Sequence, residues 1–517
     1  MSTLTIREIR KRLRTQPLYV AQVAGLLLVS GFLACVYTTC WRLARSNPYA
    51  IEYEGHVLWA CLQLSHGANI YDLTALTKEP WSVVIYNPFY FVIGGLLLKV
   101  FGTSFFPLRL LTMASTLLCF VSFGALLKRC RVSDFHMIIG IVLFAGTLPV
   151  LHWSSVARVD LLGLALAVFA LERFAKAWLN TTDGEKPKLS LAAVVLSILA
   201  LYSKQQYFVF MLATVLFAFY KGQNRLGLKY LVAYSVPSLA IAVSIQVLTG
   251  GYWSHLSYAA GLPWEWDTIR LFLMPFLLDP KTIASVAVIV AAKNWNTRKS
   301  ASEPAYKADR EPSSESKNIQ ALPSILLICS CALALYTMGL RGAFHNHLLC
   351  CEFALFWLAA IKLEKLPQNF TTPVIFACAV SLTPLLVFTG EMAFSHRLRA
   401  DTEETISMLN QSCSNKPLLL TEDPSLAIFA GAKPAMIDAT TILNIGALHP
   451  GQLDLLLQRL EQKAYGAVII NAHDANEQSE HIWRKPIVKA ILKNYRPTGK
   501  SGGNGMRQIV FLPNGQL

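Results

Sequence analysis

Residues 51–72 read I-E-Y-E-G-H-V-L-W-A-C-L-Q-L-S-H-G-A-N-I-Y-D, and residues 83–90 read V-V-I-Y-N-P-F-Y. The first stretch decides the reading of the fold, because long apolar runs lie on both sides of it. Glu54 opens an amphipathic run in which Val57, Leu58, Cys61, Leu62 and Leu64 fall at helical spacing, with Gln63, Ser65 and His66 beside them. Gly67 follows where a helix C-terminus favours a left-handed residue. The pattern predicts a short helix lying on a bilayer surface rather than crossing it. Glu54 then stands at a boundary where a lipid-borne and a water-borne substrate can meet.

Working outward, the run Leu18 to Cys40 follows Arg7, Arg10, Lys11, Arg12 and Arg14. It reads as an uncleaved signal anchor with a cytoplasmic N-terminus. Phe89–Phe101 is too short to cross about 30 Å of hydrocarbon, so it is expected to be juxtamembrane or half-inserted. The run from Phe105 to Leu127 is long enough, and it closes in Lys128-Arg129-Cys130-Arg131, a cytoplasmic signature. Further apolar runs cover 135–151, 161–178, 189–220, 230–248, 269–292, 321–340, 348–361 and 371–389. The run 189–220 is interrupted by Ser203-Lys204-Gln205-Gln206. A charge is costly at mid-membrane, so two short helices meeting at the outer face are expected there. The total is about eleven spans.

Composition agrees with this reading. Of the 517 residues 54% are hydrophobic and 15% charged, and the mean hydropathy is +0.43. The net charge of +15 sits largely in loops assigned to the cytoplasmic side, which points to membrane orientation rather than to nucleic acid. Of the eleven cysteines, all but Cys413 lie in or beside apolar segments, and no C-x-x-C spacing occurs. Neither a zinc site nor a disulfide framework is indicated. Lys293 to Asn318 is polar and reads as a disordered cytoplasmic loop.

The composition turns soluble near residue 391. Residues 417–420, 467–470 and 508–511 read as buried strands, and 451–463 as an amphipathic helix with Leu453, Leu456, Leu457 and Leu460 on one face. The chain therefore divides into a polytopic α-helical membrane domain, 1–390, and a small extracytoplasmic α/β domain, 391–517.

Several ionisable residues fall on the face read as outer. Glu54 could be a loop acid capping the helix after it, or a base for a hydroxyl. Arg158-Val159-Asp160 could be a local ion pair at a helix end, or a pair in which Arg158 grips a phosphate while Asp160 orients a partner. Lys204 could snorkel to the interface or meet the same anion. Arg341, His345 and His347 share a late outer loop; their spacing suits anion binding better than zinc. Cations and a few acids on one face suit a substrate with a phosphate head and a lipid tail, with a carboxylate to activate a hydroxyl.

An ordered set of short motifs runs through residues 15–390: Glu54-Gly55, Gly67 to Tyr71, Tyr86-Asn87-Pro88 with Tyr90, Phe101 to Ser104 leading to Arg109-Leu110, Ala157 to Asp160, Ser203-Lys204-Gln205, and Gly342 to His347 including Asn346. In this set the chain resembles the GT-C superfamily of polytopic glycosyltransferases, the bacterial relatives of aminoarabinose transferase and protein O-mannosyltransferase. The resemblance implies juxtamembrane helices in the first outer loop and a catalytic role for Glu54 as general base; Asp160 is the second catalytic candidate. It implies a polyprenyl-phosphate sugar as donor and transfer with inversion to a hydroxyl of a lipid, glycan or protein. Arg158, Lys204 and Arg341 are then donor-phosphate contacts, with Tyr86, His345, Asn346 and His347 as further substrate contacts. Two departures stand out. Relatives carry an aspartate or an Asp-Glu pair in the first loop, where Tyr53 here separates Glu52 from Glu54, and the late Asn-Tyr pair is Asn346-His347. No cofactor is implied, and a lone Asp160 argues against a divalent ion. The competing readings are a transporter or flippase of lipid-linked glycans, which calls for internal repeats and midplane charges, and a non-catalytic assembly subunit. The expected location is the inner membrane.

Overall fold

The computed structural model describes residues 17–50, 54–180, 187–302, 319–382, 399–413, 417–438, 450–471, 475, 483, 485–502 and 508–515. The N-terminal basic cluster, Glu52 and the expected domain boundary near 390 lie outside them. Helix α1 (Pro17–Ser46) leads into the first loop, which holds α2 (Gly55–Ser65) and α3 (Phe89–Phe101). The body continues with α4 (Phe106–Arg129), α5 (Asp134–Ala145), α6 (Leu148–Trp153), α7 (Asp160–Leu179), α8 (Leu191–Ser203), α9 (Phe208–Tyr220) and α10 (Asn224–Thr249). After α11 (Tyr252–Ala260) come α12 (Trp266–Leu278), α13 (Pro280–Ser302), α14 (Leu322–Met338), α15 (Leu349–Leu363) and α16 (Thr371–Ser381).

Four described helical segments are long and apolar enough to cross a membrane: Pro17–Ser46, Phe106–Arg129, Asn224–Thr249 and His345–Leu363. The pair α12 and α13 makes a fifth if counted as one span, but it is bent by 65° at the break before Pro280. The chain is an integral membrane protein, and length with hydropathy gives fewer crossings than the eleven expected. The difference lies in shorter apolar helices, among them α5, α8, α9 and α14; α3 is short, as expected. α15 is buried along most of its length, while α10 is mostly exposed. Apolar side chains on α10 such as Leu239 and Val247 suit lipid rather than water.

Three segments differ from expectation for local reasons. The run 269–292 is two helices, because Pro280 cannot continue the backbone ladder and starts a new helix instead. Residues 293–302, expected to be loop, extend α13. Helix α2 is not a surface helix. Val57, Leu58, Trp59, Ala60 and Cys61 are all buried, so it is apolar on nearly every side and is enclosed. On one side α3 presses close; a Cβ added at Gly94 would stand 2.4 Å from Cys61 Sγ. Gly67 does adopt the expected left-handed backbone, with φ +76°.

The described elements of the C-terminal domain are α17 (Arg399–Ser412), β1 (Leu418–Thr421), α18 (Pro424–Phe429), β2 (Lys433–Pro434), α19 (Pro450–Glu461), β3 (Ala467–Asn471), α20 (Lys485–Asn494), β4 (Tyr495–Gly502) and β5 (Gln508–Pro513). The strand order is β2-β1-β3-β5-β4, parallel across the first three and antiparallel beyond. The three strands expected from buried runs are present; β2 and β4 are too short or too polar to show one.

This domain docks on the first loop. Trp81 pairs with Met436 beside β2: its N–H donates to the Ala435 carbonyl, and its own carbonyl accepts from the Ile437 amide, each at 2.9 Å. Leu76, Trp81 and Val83 share a core with Leu420, Leu460 and Tyr465. Tyr465 donates to Glu79 Oε1 at 2.7 Å, and Arg459 lies 3.5 Å from the other oxygen.

The remainder of the first loop is tied to α8 and α11. Tyr252 donates to Asn87 Oδ1 at 2.7 Å, and Asn87 Nδ2 donates to the Leu201 carbonyl at 2.7 Å. His255 uses both ring nitrogens: Nδ1 accepts from the Val84 amide at 3.1 Å, and Nε2–H donates to the Asp72 carbonyl at 3.0 Å. Burial lowers the pKa of His255, with the Asp72 carbonyl and carboxylate opposing. A depressed value means that the fold favours the neutral ring. Its contribution is complete above the unfolded value near ~6.5 and is lost as pH falls through the folded one. Thermal melts of the purified protein should therefore show a loss of stability on acidification below pH ~6.5. His255→Phe should be less stable at pH ~7.5 and fall less steeply. Equal slopes would remove His255 from that account.

Candidate active site

The expected site residues come from breaks between apolar helices. Asp160 is the first residue of α7, where the positive helix end suits a carboxylate. Arg158 precedes it in the turn after α6. Lys204 occupies the break between α8 and α9 in extended backbone, φ −153° and ψ 128°, as the interruption of that apolar run predicts. Asn346 lies in a short 3-10 turn, His345–Leu348, before α15. The irregular backbone at these breaks is enclosed by protein, with Asp160, Lys204 and Asn346 all buried.

These breaks converge. Lys204 Nζ lies 2.5 Å from Asp160 Oδ1, and Asn346 Nδ2 donates to the same oxygen at 2.8 Å. Arg158 Nε stands 3.7 Å from Asp160 Oδ2, and its Nη2 donates to the Tyr86 hydroxyl at 3.0 Å. The guanidinium also sits 4.9 Å from the Trp153 ring centroid and 5.7 Å from that of Tyr86, and Lys204 Nζ is 5.5 Å from the Tyr86 ring. His345 packs on Trp153 and His152, with ring centroids 5.6 and 5.1 Å away. Arg158, Asp160, Lys204, His345 and Asn346 are buried.

Two features of the cluster ask for a ligand. Arg158 and Lys204 together outweigh the single charge of Asp160, leaving the group positive. Among the described residues, the buried atoms Asp160 Oδ2, Asn346 Oδ1, His345 Nε2 and His347 Nδ1 also make no hydrogen bond. Buried polar atoms are nearly always satisfied, so a group of orphans in one place marks room for water or substrate.

Arg341 is not in this group. It forms an ion pair with Glu265 on the surface, Nε donating to Oε1 at 2.9 Å, and its side chain is 47% exposed. The backbone beside it is held by Arg341 N–H donating to the Pro263 carbonyl at 2.8 Å.

Glu54 has a different setting from the one expected. Its side chain is wholly buried. Arg109 Nε donates to Oε1 at 2.9 Å and Nη2 to Oε2 at 2.5 Å, a two-pronged pair. The Ala157 amide donates to Oε1 at 2.6 Å. Arg109 spends its other donors on the Ala44, Asn47 and Tyr49 carbonyls at 2.7, 2.6 and 2.6 Å. Glu54 thus ties α1, α2, α4 and the turn carrying Arg158 together, and neither oxygen faces an open site. The sequence pattern assigns no role to Arg109, Trp153 or His56. His56 Nε2 lies 3.4 Å from Arg158 Nη1. Among the described residues no three of His, Cys, Asp and Glu are grouped so as to hold a metal ion.

No protein-family model and no curated protein matches the chain. Solved structures do. The chain superposes on ArnT from Cupriavidus metallidurans in the apo state with a TM-score of 0.54 and 11% identity, over 93% of this chain and 97% of that one. For ArnT from the same organism bound to undecaprenyl phosphate the TM-score is 0.55 with 11% identity, over 94% and 97%. ArnT is an aminoarabinose transferase of the GT-C fold. At this identity the likeness is one of fold, and it bears out the GT-C-like architecture expected from the motifs.

Proposed function

We propose that this chain is a membrane glycosyltransferase that takes a sugar from a polyprenyl-phosphate donor and places it on an acceptor hydroxyl. The observation that carries this reading is the buried, net positive cluster of Arg158, Lys204 and Asp160 with its orphaned polar atoms. ArnT, whose fold the chain shares, binds undecaprenyl phosphate. On this reading the N-terminus is cytoplasmic by the bias of Lys and Arg. The cluster and the docked C-terminal domain share the opposite, extracytoplasmic end.

Arg158 and Lys204 take the donor phosphate. They stabilise the charge that grows on it as the bond from the anomeric carbon to the phosphate oxygen breaks. The acceptor oxygen forms the new bond from the opposite face, so the anomeric centre inverts. The polyprenyl phosphate leaves with the electron pair. The acceptor proton passes to Asp160 Oδ2, the carboxylate oxygen with no hydrogen bond of its own. Asn346, His345 and His347 offer partners to sugar hydroxyls, and Tyr86 holds Arg158 in place. Glu54 serves as a positioning residue through the Ala157 amide. Arg341, paired with Glu265 at the surface, has no part in this step.

Lys204→Met tests the phosphate site. Loss of one charged contact is worth about 1.5–3 kcal/mol, so affinity for undecaprenyl phosphate should fall roughly 10- to 100-fold. Unchanged affinity, measured on protein in nanodiscs, would remove the donor phosphate from this cluster.

A further inference from the structure

The first turn of α2 is held from two sides. Arg109 holds Glu54 on one side, and the C-terminal domain presses from the other. A Cβ added at Gly55 would stand 2.1 Å from Asp423 Oδ1, 3.0 Å from Pro424 Cδ and 3.0 Å from the Ser425 nitrogen. Gly55 is therefore the seat on which the start of α18 rests. That start is rigid, because Asp423 accepts from the Ser425 amide and hydroxyl, both at 2.9 Å. At the far end of α18, Phe429 stands edge-on to Tyr49 and Phe105, each centroid 5.9 Å away. Tyr49 and Phe105 flank the Glu54–Arg109 clamp in sequence and in space, since the Tyr49 carbonyl accepts from Arg109. The contacts then run on: Glu54 to the Ala157 amide, and Ala157 to its neighbour Arg158.

We propose that the C-terminal domain is a positioning element for the candidate site. Seated on Gly55, α18 fixes Glu54, and Glu54 fixes the turn that presents Arg158 to the lipid phosphate. This rests on the donor-site reading given above. It gives the soluble domain a task in lipid-phosphate binding without any contact to the lipid.

The test uses the full chain in nanodiscs, with undecaprenyl phosphate as probe and hydrogen exchange of residues 55–65 as the second readout. The variants are Gly55→Ala, Gly55→Ala with Asp423→Ser, and Gly31→Ala. At Gly31 an added Cβ meets nothing within 4 Å, which makes it the control. Gly55→Ala should raise exchange in 55–65 and weaken undecaprenyl phosphate binding roughly tenfold, the size expected for coupling through packed contacts. Shortening Asp423 to Ser removes the 2.1 Å contact and keeps a capping oxygen, while the contacts with Pro424 and the Ser425 nitrogen at 3.0 Å remain, so the double variant should recover in part on both readouts. Gly31→Ala should change neither. Phe429→Ala, a milder lesion at the other end of α18, should reproduce both changes if Gly55→Ala does not fold. Faster exchange with wild-type affinity would overturn the positioning role alone, and unchanged exchange would overturn the seat. Absence of binding by the wild type would overturn the donor-site reading and this proposal with it.

Discussion

Asp160→Asn should lower turnover by about 100- to 10,000-fold, the usual worth of a placed general base. The assay is consumption of a polyprenyl-phosphate sugar in an envelope lipid extract, with a mass-shifted product. Affinity for undecaprenyl phosphate should hold or rise in the same variant. Arg158 and Lys204 then face the phosphate with no carboxylate to compete for them. This opposition of signs gives the experiment its force. A carboxylate that only held Lys204 in place would lose binding and turnover together. Parallel losses would therefore move the base elsewhere, with Glu52 the next acid to examine.

Glu54→Gln should act mainly on stability. Arg109 is wholly buried, and the substitution leaves its charge uncompensated. Breaking a buried pair from one side costs about 3–5 kcal/mol. Arg109→Met should cost more, because the Ala44, Asn47 and Tyr49 carbonyls also lose their donor. Thermal unfolding of both variants beside the wild type decides the matter. A Glu54→Gln protein that melts like the wild type but has lost turnover would restore Glu54 as the base.

Single residues explain what the chain reveals in advance. Lys204 interrupts an apolar run, and a charge so placed forces a helix break; the structure has the break there. Arg158 and Asp160 carry the same signal at a helix start. The company these residues keep is harder to read. Arg341 resembled another phosphate contact because its partner, Glu265, lies 76 residues away in a separate loop. Glu54 was legible as special but not as clamped. The Arg109 that holds it sits in an apolar helix, where a lone guanidinium is itself a sign of a buried partner. Helix α2 carries the period of a surface element and is nonetheless enclosed. Trp59 and Ala60 fall off the apolar stripe, yet both are buried in the core of the helical domain. Such cover comes from tertiary contact and leaves no period in the sequence.

The pairing of Trp81 with the margin of β2 also dictates an order of birth. Glu79 and its partner Tyr465 are 386 residues apart, so the ribosome must pass Tyr465 before the first loop is covered. Contacts between such distant segments form late. Until then Leu76, Trp81 and Val83 lack most of their core and present apolar surface to chaperones and proteases. A chain that stops short of β2 never hides them. The opening loop thereby reports whether the C-terminal domain has been made.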